Sequence, residues 1–318
     1  DIKRKAASLV RLALFVEQRR SSLRRDEIVK KVLGGNGRLF KTVFDQAQTT
    51  LRSTFGMELV ELRTRAQLEQ NDNPEEEAGE ARAAIGVRKK NAAGSKTYIL
   101  RSVLEPILIE YAALTDEQIY EEESQNMDAD EADDEDENQR ACGSIISWNT
   151  SDQLGSIGVL YVILGLILAD GRVISDMDLR GYLKRLRLGP KDSMSLSPLS
   201  THRSVSVDQF LTTLLRQGFV DRDAIGETKT KSKGKRVRAQ ADDDGGPQYE
   251  WRWGPRAHSE IGERAVAQFM AEFMVGGNEE DEEGENGLGQ DKRQDEVHLE
   301  RMARGIERAA GGNLSDIK

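Results

Sequence analysis

Cysteine occurs once, as Cys142, and histidine three times, as His202, His258 and His298, which excludes an internal disulfide and leaves no plausible zinc constellation. A lone thiol is intracellular in character. No Gly-rich phosphate loop, paired Ser and His nucleophile motif or metal-ligand spacing occurs. Carboxylates are plentiful, but they crowd into connectors that cannot hold them in the rigid geometry acid–base catalysis needs. A non-enzyme without cofactor, metal or small-molecule substrate is expected. Long apolar runs are scarce as well: the longest, Leu154 to Ala169, has 16 residues, short of the roughly 20 that span a bilayer. No membrane association and no signal peptide are expected, and the native N-terminus is expected to be processed or to lie upstream of Asp1.

Aromatics are few, 5% of 318 residues, against 32% charged side chains and a mean hydropathy of -0.61. Such a chain cannot be one compact globule throughout. The charges are also unevenly placed. Residues 1 to 65 carry 15 basic and 7 acidic side chains, whereas residues 66 to 139 carry 6 and 21. Residues 140 to 275 carry 19 and 16, and residues 276 to 318 carry 6 and 12. The net charge of -10 therefore conceals two basic regions joined by acidic connectors. The expected division is a first folded half over 1–114, an acidic linker over 115–140, a second half over 141–275 and a disordered acidic tail over 276–318.

Apolar periodicity predicts helices over Lys3 to Gln18, Arg24 to Leu33 and Arg38 to Phe55, the last with a core stripe of Phe40, Phe44, Ala47, Leu51 and Phe55. Arg38, Lys41, Asp45, Gln48 and Arg52 fall on its other side. Strands over Met57 to Arg63 and Lys96 to Arg101 follow, separated by an insertion at 64–95 that holds a small basic spot, Val87-Arg88-Lys89-Lys90. Three short helices and a hairpin are the order of a winged helix. Val103 to Ala113 reads as one more helix, interrupted near its start by Pro106. Asp116 to Glu137 then places 13 carboxylates in 22 residues, a solvated linker.

The second half repeats the order. Leu154 to Ala169 reads as a buried central helix, Ser175 caps a second helix, and Ser206 with Gln209 forms the capping box of a third that ends at Gly218. Gly218 to Asp221 pairs with Tyr249 to Trp253, where Tyr249, Trp251 and Trp253 share one strand face. Gly254-Pro255 stops that strand, Ser259 stands at the N-cap of a closing helix to about Val275, and Ile261, Ala265, Phe269 and Phe273 follow at helical spacing. The wing carries a second insertion, 223–247. Its Lys229, Lys231, Lys233, Lys235, Arg236 and Arg238 attract phosphate without reading bases, and Arg180, Lys184, Arg185 and Arg187 add cations from one helix. The fold class is thus mainly α with small β wings (α+β): tandem winged-helix domains with long disordered acidic insertions.

The run Trp253-Gly254-Pro255-Arg256-Ala257-His258-Ser259-Glu260 resembles the signature near the end of the MAGE homology domain, and Phe55 to Glu61 and Leu9 to Glu17 resemble its FG-x-x-L-x-E junction and first helix. The resemblance implies two winged-helix halves that bind RING-type ubiquitin ligases. In the form found outside animal expansions it implies a nuclear, chromatin-associated subunit of the SMC five/six genome-maintenance complex that joins a RING-type subunit to a kleisin and contributes to binding duplex DNA. It puts the RING contact near Val10, Ala13 and Leu14, with one leucine of the family pair replaced by alanine. A kleisin helix is expected in a groove lined by Leu160, Leu164, Phe210 and Leu214, side chains that core packing explains equally well. The alternative is a free-standing winged-helix DNA-binding regulator.

Overall fold

The computed structural model describes residues 1–65, 67–68, 94–126, 143–145, 154–189, 192–195, 204–225, 248–276 and 291–317. Two units separate, one of residues 1–157 with 195–204 and one of residues 158–194 with 205–318; the elements are taken below in chain order.

In the first unit, α1 (Ile2–Gln18) buries Ala6, Leu9, Val10 and Ala13, spaced so that they share one helix face. A short strand β1 (Leu23–Arg24) leads into α2 (Arg25–Lys31), whose first turn holds Asp26 and Glu27 and whose last holds Lys30 and Lys31, signs that suit the helix dipole. Helix α3 (Phe40–Thr50) runs on as a π-helical turn through Phe55, and Gly56, at φ 59, closes it in a left-handed conformation that glycine favours. Strands β2 (Met57–Glu61) and β3 (Thr97–Ser102) are antiparallel, with Met57 opposite Ser102 and Glu61 opposite Tyr98. Strand β1 pairs on the far side of β3, Leu23 opposite Tyr98, so the order is β1-β3-β2. That is a winged helix. Its core stripe contains Phe40, Val43, Ala47 and Leu51; Phe55, expected there, is exposed because the π turn rotates the end of the helix. The 64–95 insertion leaves from a closed wing: Ser95 Oγ donates to the Leu62 carbonyl (2.6 Å) and the Lys96 amide to Glu61 Oε1 (2.8 Å).

Two helices follow the wing. Pro106 starts α4 (Pro106–Ala113) at N1, where its missing N–H is harmless, rather than interrupting it. Asp116 then caps α5 (Glu117–Asn126), accepting from the amides of Gln118 and Ile119 at 2.9 and 3.2 Å, so the start of the expected linker is ordered as helix.

In the second unit, α6 (Leu154–Ala169) buries Leu160, Ile163, Leu164, Ile167 and Leu168. Strand β4 (Val173–Ser175) leads to α7 (Asp176–Arg185), where Ser175 Oγ accepts from the Asp178 amide (3.1 Å). A two-stranded ribbon, β5 (Ser193–Ser195) and β6 (Ser204–Ser206), precedes α8 (Val207–Gln217), which starts in the Ser206–Gln209 capping box and stops at Gly218, φ 83. Strands β7 (Val220–Ala224) and β8 (Tyr249–Trp253) pair with Val220 opposite Trp253, and β4 pairs on the other side of β8. The order β4-β8-β7 repeats the first sheet.

The closing segment differs from expectation in two ways. Ser259 is not an N-cap: Gly254 caps a short helix α9 (Pro255–Glu260) with proline at N1, and Gly262, φ 79, separates it from α10 (Glu263–Gly276). Nor is all of 276–318 loose. Helix α11 (Asp291–Ala309) contributes Ile306 to the core of the second unit, and Ala310 follows it there just past the helix end.

Candidate nucleic-acid and partner interfaces

The Trp253–Glu260 signature is a structural clasp. Trp253 donates its indole N–H to the buried Leu164 carbonyl (3.0 Å), tying the wing to α6. The amides of Gly254 and Arg256 donate back to the carbonyls of Phe219 (2.8 Å) and Gly218 (3.0 Å), and a Cβ on Gly254 would run into Gly218. Only glycine lets these two backbones approach so closely. Arg256 is fully buried, its Nε on Glu260 (2.6 Å) and its guanidinium over the Phe219 ring (5.0 Å). His258 lies against Trp253, ring centroids 5.3 Å apart. The run locks a strand end to a helix start.

Glu263 makes a second clasp. Its carboxylate takes a forked pair from Arg172, Nε to Oε1 at 2.7 Å and Nη2 to Oε2 at 2.9 Å, and accepts from the Ser315 amide at 2.8 Å. Arg172, itself left-handed at φ 68, also donates to the carbonyls of Ala310 (3.0 Å) and Asn313 (2.8 Å). Burial alone would raise the Glu263 pKa, but Arg172, the Ser315 amide and His258 outweigh it and hold the carboxyl below its ordinary value.

The cations proposed for DNA divide in two. Arg180 donates to Asp176 (2.7 Å) one turn back and to Asp208 (2.6 Å) on α8. Two carboxylates neutralise it, so Arg180 joins helices and leaves the set of phosphate ligands. Lys184, Arg185 and Arg187 are exposed, Arg185 over the Tyr182 ring at 5.8 Å. Lys229, Lys231, Lys233, Lys235, Arg236 and Arg238 lie outside the described residues, as do Val87–Lys90. The stem of that wing carries two cations that sequence reasoning passed over. Arg222 lies over the rings of Tyr249 (4.5 Å) and Trp251 (5.6 Å), and Arg252 sits beside Glu250 (3.2 Å). Alternation along the two strands could have flagged both.

In the first unit two of the outward side chains of α3 and its π turn are engaged, while Arg38 and Lys41 are exposed. Gln48 donates to the Leu59 carbonyl (3.0 Å) and accepts from the Leu59 amide (2.7 Å), pinning α3 to the wing. Glu58 is bracketed by Arg52 (2.7 Å) and Arg101 (3.0 Å); although burial would raise its pKa, these two arginines lower it. Gln48 is not free to read a base, whereas Arg52 is exposed and held by a surface ion pair.

The expected partner contacts turn out to be core. Val10 and Ala13 are buried and Leu14 packs against the same cluster; the outward apolar residue of that stretch is Phe15, under the Arg19 guanidinium (4.9 Å). Leu160, Leu164, Phe210 and Leu214 all lie inside the second core, so none lines an open groove. Apolar side chains at helical spacing serve a core and a groove alike, and here the core takes them. Among the described residues no three His, Cys, Asp or Glu gather as a metal site, and no helix is long and apolar enough to cross a membrane.

Two sheets of matching strand order, β1-β3-β2 and β4-β8-β7, each fed by three helices, define a tandem winged-helix protein. The chain belongs to the MAGE homology domain family, whose pattern matches residues 9–264. It is 22% identical over 271 residues to the human "Non-structural maintenance of chromosomes element 3 homolog", covering 85% of this chain and 61% of that one. The mouse protein of the same description matches over the same length at 22%, with 66% of it covered. The chain thus spans about three fifths to two thirds of these relatives. A chain of a solved "Nse1-Nse3-Nse4 complex" aligns over 97% of both chains with a TM-score of 0.54 and 16% identity, a likeness of fold.

Proposed function

We propose that this chain is a non-catalytic scaffold subunit of a chromosome-maintenance complex of the SMC five/six type, bridging a RING-type ubiquitin ligase subunit and a kleisin, and located on chromatin in the nucleus. The observation that carries it is the family match over both winged helices, joined to relatives described as elements of chromosome maintenance. Duplex DNA is held through the second unit, by Lys184, Arg185 and Arg187 with the six cations of the wing insertion. Contact is to the backbone, without sequence preference, because Lys184, Arg185 and Arg187 are exposed while the candidate base reader of the first unit, Gln48, is occupied. That occupancy also disfavours a free-standing sequence-specific regulator.

The test is duplex binding by the full chain across a salt series, beside one variant with Lys184, Arg185 and Arg187 changed to Ala and another with the six wing cations changed to Ala. Each lost phosphate contact should lower the slope of log affinity against log salt by about 0.9. Binding that neither variant flattens, or none at low salt, removes DNA from the proposal. Co-purification with a RING subunit and a kleisin tests the bridge separately.

A further inference from the structure

Helix α4 buries none of its residues. Ile107, Leu108, Tyr111 and Leu114 stand 52, 54, 67 and 57% exposed, an apolar stripe two turns long with a tyrosine at its centre. The segment itself carries one sign of charge: residues 103–126 hold seven carboxylates and neither lysine nor arginine. The arrangement is fixed. The Asp116 amide donates to the Gly143 carbonyl (2.7 Å), and the Gly143 amide to Glu123 Oε2 (2.9 Å). Gly143 is left-handed at φ 67, where an added Cβ would meet Tyr120 Cβ at 2.9 Å. Both ends of the acidic excursion are thereby held together beside α4.

We propose that this face is a docking surface for an amphipathic, basic helix of a partner protein, with an apolar seam over Ile107, Leu108 and Tyr111 and flanking Lys or Arg against the carboxylates. Charge decides the occupant. A second copy docking through the same face would set one acidic segment against another, and nucleic acid would be repelled. An apolar stripe with a central aromatic and a charged rim has the anatomy of a protein interface, and a helix laid across it meets the stripe at its i, i+3 and i+4 positions. The site uses first-unit residues alone and shares no residue with the DNA contact proposed for the second unit.

The test titrates a fluorescein-labelled helical peptide of Leu and Lys, patterned on an i, i+3, i+4 repeat, with the full chain, beside a Leu and Glu peptide of the same pattern. The Leu and Lys peptide should bind, more weakly as salt rises, and the Leu and Glu peptide should not. The variant Ile107→Ser, Leu108→Ser, Tyr111→Ser should lose affinity by roughly ten-fold or more, with melting unchanged because all three side chains are exposed. Glu117→Lys with Glu121→Lys should lose it with the apolar stripe intact. Equal binding by the serine variant would mean that acidic residues alone attract the peptide, and would overturn the proposal. So would retention by the charge-reversed variant, absence of binding, or a wild-type dimer by light scattering that the serine variant reduces to monomer.

Discussion

The two winged helices share a strand order and differ in what their polar side chains do. In the first, Gln48 and Arg101 are turned inward on the wing, through the Leu59 backbone and Glu58. In the second, the wing is held by buried aromatics and a glycine contact, and Lys184, Arg185 and Arg187 remain outside. One fold can fasten its wing with polar bonds and lose those groups as ligands. It can also fasten the wing with core and keep its cations in solvent.

The strongest way to break this contrast is Trp253→Ala. It removes a buried indole and its bond to Leu164, and should cost the second unit about 3–5 kcal/mol while leaving the first unit's transition in place. Calorimetry with hydrogen exchange resolved by segment would show it. Equal loss of protection around Phe40 and Tyr98 would mean that the two units do not fold independently.

Glu263→Gln comes next. It leaves Arg172 facing a neutral amide at a nearly buried site, and a loss of about 3 kcal/mol is expected, with α11 freed to proteolysis before the rest of the unit. The same pair sets a pH dependence. The folded-state pKa of Glu263 is depressed below its ordinary 4.5, so on acidification the unfolded chain takes up the proton first. The stabilisation is whole above about pH 4.5 and is lost as pH falls through the lower, folded value. Urea unfolding of wild type and variant should therefore diverge at neutral pH and converge in acid. A constant gap would place the effect elsewhere.

Much of this frame is legible in the residues, and the exceptions share a cause. The spans Leu154–Ala169 and Tyr249–Trp253 and the caps at Ser175 and Ser206 follow from period and local chemistry. Ser259 misleads because Pro255 and Gly262, each a legitimate boundary signal, divide that stretch between two helices. Gln48 with Leu59 and Arg172 with Glu263 are joined only by folding, the latter pair 91 residues apart, so no pattern announces them. The α4 stripe was visible as an apolar run, yet only its environment distinguishes an uncovered face from core.

Gln48→Ala probes the first wing at a smaller scale. Two hydrogen bonds to Leu59 disappear and the Leu59 amide and carbonyl are left in a half-buried place, so about 1–2 kcal/mol should be lost, seen as a lower denaturant midpoint at unchanged slope. Replacing Lys184 with alanine is the counterpart on the other unit and should barely move stability, since the side chain is exposed. Its effect should instead appear in DNA affinity and in the salt slope, by about one phosphate contact. The two variants together separate fastening from binding: Gln48→Ala should alter the midpoint and leave the slope, Lys184→Ala the reverse. If Gln48→Ala changed the salt slope as well, the first wing would belong to the DNA surface and the division between the units would fail.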